Sequence, residues 1–218
     1  MQPRSAAPRP VRHRSAGLQT RAEIVAAAER HFAERGFEAT RLEDIATEVG
    51  IRRAAIFYYF GDKQELYAAV LDEIFGDWTA ALPTGGSPAE RLEASLIGWI
   101  DYVARRPTVA RLILREAATA QPGVVSQFVR AGSAVEWLQA VIDEGVASGE
   151  LKPIIEPHRF MSLMGVVTVF HFAAMLWLTT RAGLHASSRS ELDKHKREIL
   201  LVARTMLGID SRPRTHTD

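Results

Sequence analysis

The chain has 218 residues, 47% of them apolar, with 27 Lys and Arg against 26 Asp and Glu and no cysteine. That is ample apolar side chain for a buried core, and the lack of thiols excludes a disulfide framework, a thiolate metal site and a cysteine nucleophile, as suits a cytoplasmic location. Charge is uneven: there are 11 basic and 8 acidic residues through Lys63, and 16 and 18 after it, so the front end is the basic end and favours an anionic partner.

Residues 1–20 hold Arg4, Arg9, Arg12 and Arg14, three prolines, no acid and no apolar run of signal-peptide length. They read as a disordered basic tail, either an arm that follows phosphates or enters a minor groove, or a solvated leader. Thr20 with Glu23 forms a capping box opening a helix whose stripe is Ile24, Ala27, Ala28, His31 and Phe32, and Gly36 ends it. His31 reads as a packed histidine, since no second ligand stands at metal-binding spacing. Thr40 with Glu43 opens a short helix carrying Leu42, Ile45, Ala46 and Val49. Gly50 supplies the positive-φ stop and Ile51 an apolar anchor, and a second helix begins at about Arg52 with Ile56 and Phe60 turned inward. Arg52, Arg53, Ala55, Phe57 and Tyr59 are left on or beside the outer face, in a helix-turn-helix pattern suited to a nucleic-acid groove.

The run Gly50, Ile51, Ile56, Phe57, Tyr58, Tyr59, Phe60, Lys63, preceded by Gly36, Thr40 and Asp44-Ile45-Ala46, resembles the amino-terminal domain of tetracycline-repressor-type (TetR-family) transcriptional regulators. The resemblance implies that the helix from Arg52 to Phe60 is the recognition helix. Bases would then be read chiefly by Arg53, with Arg52 beside it and Ala54, Ala55 and Phe57 giving apolar contact to thymine methyls, while Thr40, Tyr58, Tyr59 and Lys63 lie on the phosphate side. Two hydroxyls that the family often carries are absent, at Ala55 and at Phe57.

Asp62 with Glu65 makes a third capping box, for a helix carrying Leu66, Ala69, Val70, Glu73, Ile74, Asp77 and Trp78 that connects head to body. The breaker PTGGSP at 83–88 ends it, and Ser87-Pro-Ala-Glu90 caps a long helix with the stripe Leu92, Leu96, Trp99, Ile100 and Val103. Pro107 starts a shorter helix with Val109, Leu112, Ile113 and Glu116, and helical spacing resumes from Val124 to Gly149. Phe160 to Thr180 lacks Asp, Glu, Lys and Arg, yet it is single and holds Ser162, Gly165, Thr168, His171, Thr179 and Thr180. It reads as a helix buried on both sides, with no membrane contact. Ser188 with Glu191 opens a last helix bearing Leu192, Ile199, Val202 and Met206, which ends at Gly208.

The fold expected is all-α with about nine helices: a disordered tail (1–20), a helix-turn-helix head (21–63), a connecting helix (63–80), a body (81–210) and a disordered tail (211–218). No Gly-rich phosphate cradle, HExxH or nucleophile elbow is present, the sequence assigns Asp101 and Glu116 to no catalytic set, and His195 with Glu198 reads as a solvated helix face. No catalytic residue, cofactor or metal is therefore expected, and the chain reads as no enzyme. By resemblance, the protein would be a homodimer on double-stranded DNA carrying an inverted-repeat operator, a repressor released by a small molecule bound in the body. The same family pattern implies effector contacts at Trp99, Tyr102, Phe128, Met164 and His171, and a four-helix dimer interface holding Val167, Ala174, Leu192, Ile199, Val202 and Met206. The alternative is a DNA-binding protein of the same fold that senses no small molecule.

Overall fold

The computed structural model describes residues 12–119, 132–182 and 188–209, and folds them into nine helices with no strand among these residues. They are α1 (Arg12–Ala39), α2 (Leu42–Val49), α3 (Arg53–Tyr59), α4 (Lys63–Ala80), α5 (Pro88–Arg105), α6 (Pro107–Thr119), α7 (Gly132–Ala147), α8 (Pro157–Ala182) and α9 (Arg189–Leu207). The chain divides into two compact units after Val70, inside α4.

In the first unit, Ile24, Ala28 and Phe32 of α1 are buried with Ile45 of α2, Ile56 of α3 and Leu66 and Tyr67 of α4. Tyr67 meets Phe32 edge-on at 4.8 Å between ring centroids. Gly50 follows α2 at φ 76°, where a side chain would be strained, and Ile51 N–H bonds the Ala46 carbonyl at 2.9 Å, closing the helix end. Two local expectations fail here. Helix α1 begins at Arg12, so Thr20 is internal to it: no proline lies between Pro10 and Ala39, and the helix extends backward through Gln19, whose amide donates to Glu23 at 3.1 Å. The rest of the expected basic tail, 1–11, lies outside the described residues, as does 211–218.

Thr40 does not cap α2 either, because Gly36 at φ 80° breaks α1 and frees carbonyls at its end. The Thr40 hydroxyl donates to the carbonyls of Gly36 (2.7 Å) and His31 (3.1 Å), and Arg41 becomes the N-cap of α2 without a side-chain bond.

In the second unit α5 packs against α6, α7, α8 and α9. Its whole expected stripe, Leu92, Leu96, Trp99, Ile100 and Val103, is buried. The Ser87–Glu90 capping box is formed in both directions, and Ser188 caps α9 by accepting Glu191 N–H at 3.3 Å. The last carbonyls of α9 are taken up by an extended segment: Lys152 N–H bonds Leu207 O and Ile154 N–H bonds Met206 O, each at 2.9 Å. Gly208, at φ 63°, sits where any Cβ would collide with the Lys152 carbonyl. Salt bridges fasten α9 to α5, Arg204 to Glu93 (2.7 Å) and Lys196 to Asp101 (2.6 Å), so Asp101 does have a partner. Of the expected 124–149 helix, 124–131 lies outside the described residues, and no described helix is long and apolar enough to cross a membrane.

His195 is not on a solvated face. It is buried between α8 and α9, its ring stacked on that of His171 at 3.9 Å and 16°, with Phe172 edge-on to both. The 3.6-residue repeat puts His195 four positions before the buried Ile199, on the inward stripe. Neither Nε2 has a hydrogen-bond partner among the described residues. Burial, then the neighbouring His171, pushes His195 down to about 4, and burial also lowers His171 against the opposing pull of Glu198 and Glu191. An unfolded histidine takes its proton near pH 6.5, so between there and about pH 4 the unfolded chain binds more protons than the folded one. The His195 contribution is complete above that window and is lost as pH falls through it, by roughly 3 kcal/mol at the acid end. Thermal melts of the wild type should therefore show Tm falling steadily from pH 7 to pH 4.5. His195→Phe, which keeps the stacking volume and cannot titrate, should flatten that slope, and an equally steep slope in the variant would place the acid sensitivity elsewhere.

Candidate nucleic-acid interface and body cavity

The outward face of α3 is built by exclusion. Ile56 and Phe60 are fully buried, so Arg52, Arg53, Ala54, Phe57 and Tyr58 are exposed, with Ala55 and Tyr59 half-buried at its edge. Tyr58 is 84% exposed and meets Tyr59 edge-on at 5.0 Å, a projecting pair of phenols. Lys63, at the start of α4, lies over the Phe37 ring at 4.5 Å and donates to the Glu38 carbonyl at 3.1 Å. Thr40 is the exception among the expected phosphate-side residues: it is 2% exposed, and its one hydroxyl proton is shared between two carbonyls, leaving none for a phosphate oxygen. Arg41, exposed beside it at the α2 N-cap, is a cation that the helical pattern did not single out.

Three arginines of this unit are matched by acids. Arg30 bonds Glu48 through Nε at 2.8 Å, His31 reaches the other Glu48 oxygen at 2.8 Å, and Arg35 bonds Asp44. The hydrogen bond from Arg30 holds the Glu48 carboxyl below the usual range, although burial works against it. Arg53 pairs with Glu43 of α2 at 3.0 Å and lies over the Phe57 ring at 5.5 Å, whereas Arg52 has no ion-pair partner among the described residues. Glu43 is thus the residue that capping logic misassigned: it meets the recognition helix.

In the second unit a cavity of about 320 Å³ opens among α4, α5, α6, α7 and α8. Phe75, Trp78, Trp99, Trp137 and Phe160 supply rings, Met161 and Met164 supply thioethers, and Ser95, Ser162 and His158 are the polar side chains on its described wall. Of the expected effector residues it brings together Trp99 and Met164. Tyr102 faces elsewhere: its ring stacks on Trp99 at 6.1 Å, and its hydroxyl donates to the Ile74 carbonyl at 3.1 Å and accepts from Arg106 at 2.9 Å. The same Arg106 bonds Asp77 (3.0 Å) and Glu73 (3.3 Å), so it ties the end of α5 to α4. His171 is committed to His195, and Phe128 lies outside the described residues. Trp78 and Trp137 were missed because a periodicity marks which stripe is inward without showing where the packed stripes leave space.

The expected dimer residues divide in the same way. Val167 and Val202 are exposed, and Ala174, Leu192 and Met206 are half-buried. Ile199 is 4% exposed and belongs to the protomer's own core, because it lies on the stripe of α9 that packs inward with His195, Ala203 and Leu207. Leu163, Val166 and Phe170 of α8 and Leu201 of α9 are exposed and were not expected there.

A two-helix element with a tight αL turn and a second helix that presents a face of arginine and aromatic side chains defines a helix-turn-helix DNA-binding protein. Residues 24–70 match the family model "Bacterial regulatory proteins, tetR family". The chain is 28% identical over 178 residues to the HTH-type transcriptional activator FasR of Mycolicibacterium smegmatis, covering 79% of this chain and 78% of that protein. It is 32% identical over 140 residues to the HTH-type transcriptional repressor NicS of Pseudomonas putida, covering 60% and 65%. The transcriptional regulator FadR from Bacillus subtilis, solved in complex with stearoyl-CoA, superposes with a TM-score of 0.68 at 16% identity over 87% of this chain and 99% of that one. The chain belongs to the tetR family of bacterial regulatory proteins.

An exposed pair such as Arg53–Glu43 stabilises by at most about 1 kcal/mol, whereas a bidentate guanine contact discriminates by roughly 1–3 kcal/mol. The carboxylate is therefore a weak competitor for the guanidinium. Arg53→Ala should lower affinity by about 1–3 kcal/mol and relax preference at a single base position in binding to a set of single-position DNA variants. Glu43→Gln should tighten binding across the set. Equal losses on every sequence for Arg53→Ala would assign that side chain to phosphate.

Proposed function

We propose that the chain is a homodimeric repressor that leaves an inverted-repeat operator when a small molecule enters the body cavity. The observation that carries this reading is that Phe75 and Trp78, which wall the cavity, stand on α4, the helix that opens at Lys63 beside the recognition face. A ligand pressing on those rings displaces the far end of the helix, and the two recognition helices of a dimer then lose the spacing that fits successive major grooves. No contact to DNA needs to change locally. Support comes also from the relatives: NicS is a repressor, and FadR from Bacillus subtilis was solved with a bound small molecule. The head would be 21–63, the effector and dimer body 81–210, and α4 the connection between them. Arg52, Arg53, Ala54, Ala55 and Phe57 would face bases, and Tyr58, Tyr59 and Lys63 phosphates.

Dimerisation is supported by an apolar face left uncovered among the described residues. Leu163, Val166, Val167 and Phe170 recur at intervals of three and four along α8, and Leu201 and Val202 stand exposed on α9. A second copy related by a two-fold axis would cover this stripe with its own. Phe170→Glu combined with Val202→Glu should therefore give a folded monomer in sedimentation, with affinity for an inverted repeat lowered to that of a half-site. A stable dimer in the double variant would move the interface to another surface. Ile199→Glu is unsuitable, because it places a charge in the protomer core.

The effector and DNA must oppose each other reciprocally, typically by about 1–3 kcal/mol. Calorimetry with and without saturating operator should show the same factor as DNA titration with and without the compound. Tyr102→Phe removes the hydroxyl that joins α5 to the Ile74 carbonyl of α4 without altering the described cavity wall. It should leave the compound's affinity within about threefold, less than 1 kcal/mol, while reducing the coupling. Unchanged coupling would mean that α4 is moved by the cavity wall alone.

A further inference from the structure

We propose that the body cavity selects an uncharged, ring-bearing small molecule and rejects ions of either sign. This rests on the cavity being the effector site, and it goes further by naming the ligand's chemistry. The described wall holds no Asp, Glu, Lys or Arg, and its one histidine, His158, is exposed at the beginning of α8. An ionised group drawn inside loses its hydration and meets no counter-charge, a cost that few apolar contacts offset. Charged side chains do stand close by, but in an outer recess: Glu156 and Arg159 line a neighbouring depression that shares only His158 and Ser162 with the cavity.

The wall also favours rings over chains. Five aromatic side chains and two methionines face about 320 Å³, a volume at the lower end for small-molecule sites. Trp78 and Trp99 meet at 5.2 Å and 61°, so they present an edge and a face to the same space. A planar guest is met by offset or edge-on rings and by polarizable sulfur, contacts that a saturated chain of equal hydrophobicity does not make. The indole N–H of Trp99 is buried without an acceptor among the described residues, and the Ser95 hydroxyl already donates to the Leu92 carbonyl. Polar demand inside the cavity is therefore small and neutral.

The test uses the full-length protein and a matched pair of fluorescent probes, N-phenyl-1-naphthylamine and 1-anilinonaphthalene-8-sulfonate, which differ by one sulfonate. The neutral probe should bind at one site per chain and the sulfonate at least about tenfold more weakly. Equal binding of the two would overturn the exclusion of charge, and no binding of the neutral probe would overturn the site. 1-Naphthol and 1-octanol, of comparable hydrophobicity, should then compete unequally, the naphthol at lower concentration; parity or the reverse order would overturn the preference for rings.

Location is checked with Gly165→Leu. Gly165 lines the cavity from α8, and a Cβ built on it meets no atom within 4 Å, so the new side chain enters open space. The variant should keep its helical circular dichroism and bind the neutral probe at least about tenfold more weakly. If it does not fold, Ala117→Phe, from an exposed position at the rim on α6, makes the same measurement. Full binding in a folded variant would remove the probe, and the proposal, from this cavity. Operator titrations keep the two readings apart. A neutral probe that fills the cavity and leaves DNA affinity unchanged sinks the effector role while the ligand class stands. Release of DNA by a charged compound that displaces the probe does the opposite.

Discussion

Burial of one stripe on α5 is the constraint on which the body depends. Leu92, Leu96, Trp99, Ile100 and Val103 recur at helical spacing and are all withdrawn from solvent, each contributing roughly 1.5–3 kcal/mol of transfer energy before entropy is charged against it. Four other helices pack against α5, and their remaining contacts follow from that arrangement. Trp99 is at once a member of the stripe and a wall of the cavity. Truncating it would therefore remove core and ligand contact together, and a loss of response could not be assigned to either. The salt bridges Arg204–Glu93 and Lys196–Asp101 specify how α9 lies on α5 more than they stabilise it, since pairs with solvent access are worth at most about 1 kcal/mol.

The head solves a different problem. It must carry cations to reach phosphates, yet unpaired cations at this density repel one another. Arg30, Arg35 and Arg53 are each held by a carboxylate of α2, at Glu48, Asp44 and Glu43. The pairing on Glu48 and Asp44 joins α1 to α2 behind the recognition helix, while that on Glu43 touches the recognition helix itself. Only the last is in a position to be exchanged for DNA, which makes one acidic residue of α2 a determinant of how readily Arg53 becomes available. This is a coupling between neighbouring elements, and no motif spacing announces it.

Legibility in the sequence followed the range of the interaction. Gly50 as a left-handed stop, Ser87 and Ser188 as caps, and the inward stripes of α5 and α3 are local, decided by residues within four positions of one another, and each is as expected. The errors arose where a side chain had two possible partners and the closer one in sequence was assumed. Thr40 bonds carbonyls freed nine and four residues earlier, in place of the backbone of its own helix. His195 and Ile199 fall on an inward stripe of a helix that also has exposed apolar residues, so composition alone could not tell core from interface. The cavity was half visible: the family pattern implies contacts at Trp99 and Met164, and both line it, but Tyr102 is on the side of its helix that turns to α4, one hydroxyl away from a carbonyl.

Helix α8 shows why an apolar run of 21 residues needs neither a membrane nor uniform burial. Its positions 160, 164 and 169 are buried and line the cavity together with 161 and 165, while 163, 167 and 170 are exposed and uncovered among the described residues. Burial in the core and, on the proposed reading, a ligand and a second subunit each exclude charge for a separate reason, which accounts together for the lack of ionised residues over most of the helix. Val166 lines the cavity and is exposed at once, so the cavity wall and the proposed dimer face meet at this side chain. Helices move as rigid rods over such distances, and a guest that displaces the cavity side of α8 must displace its outer side equally. On the proposed reading, dimer geometry and ligand occupancy are then linked through α8 as well as α4, and a substitution at Val166 should touch both directly, whereas one at Gly165 reaches the dimer face only by moving the helix.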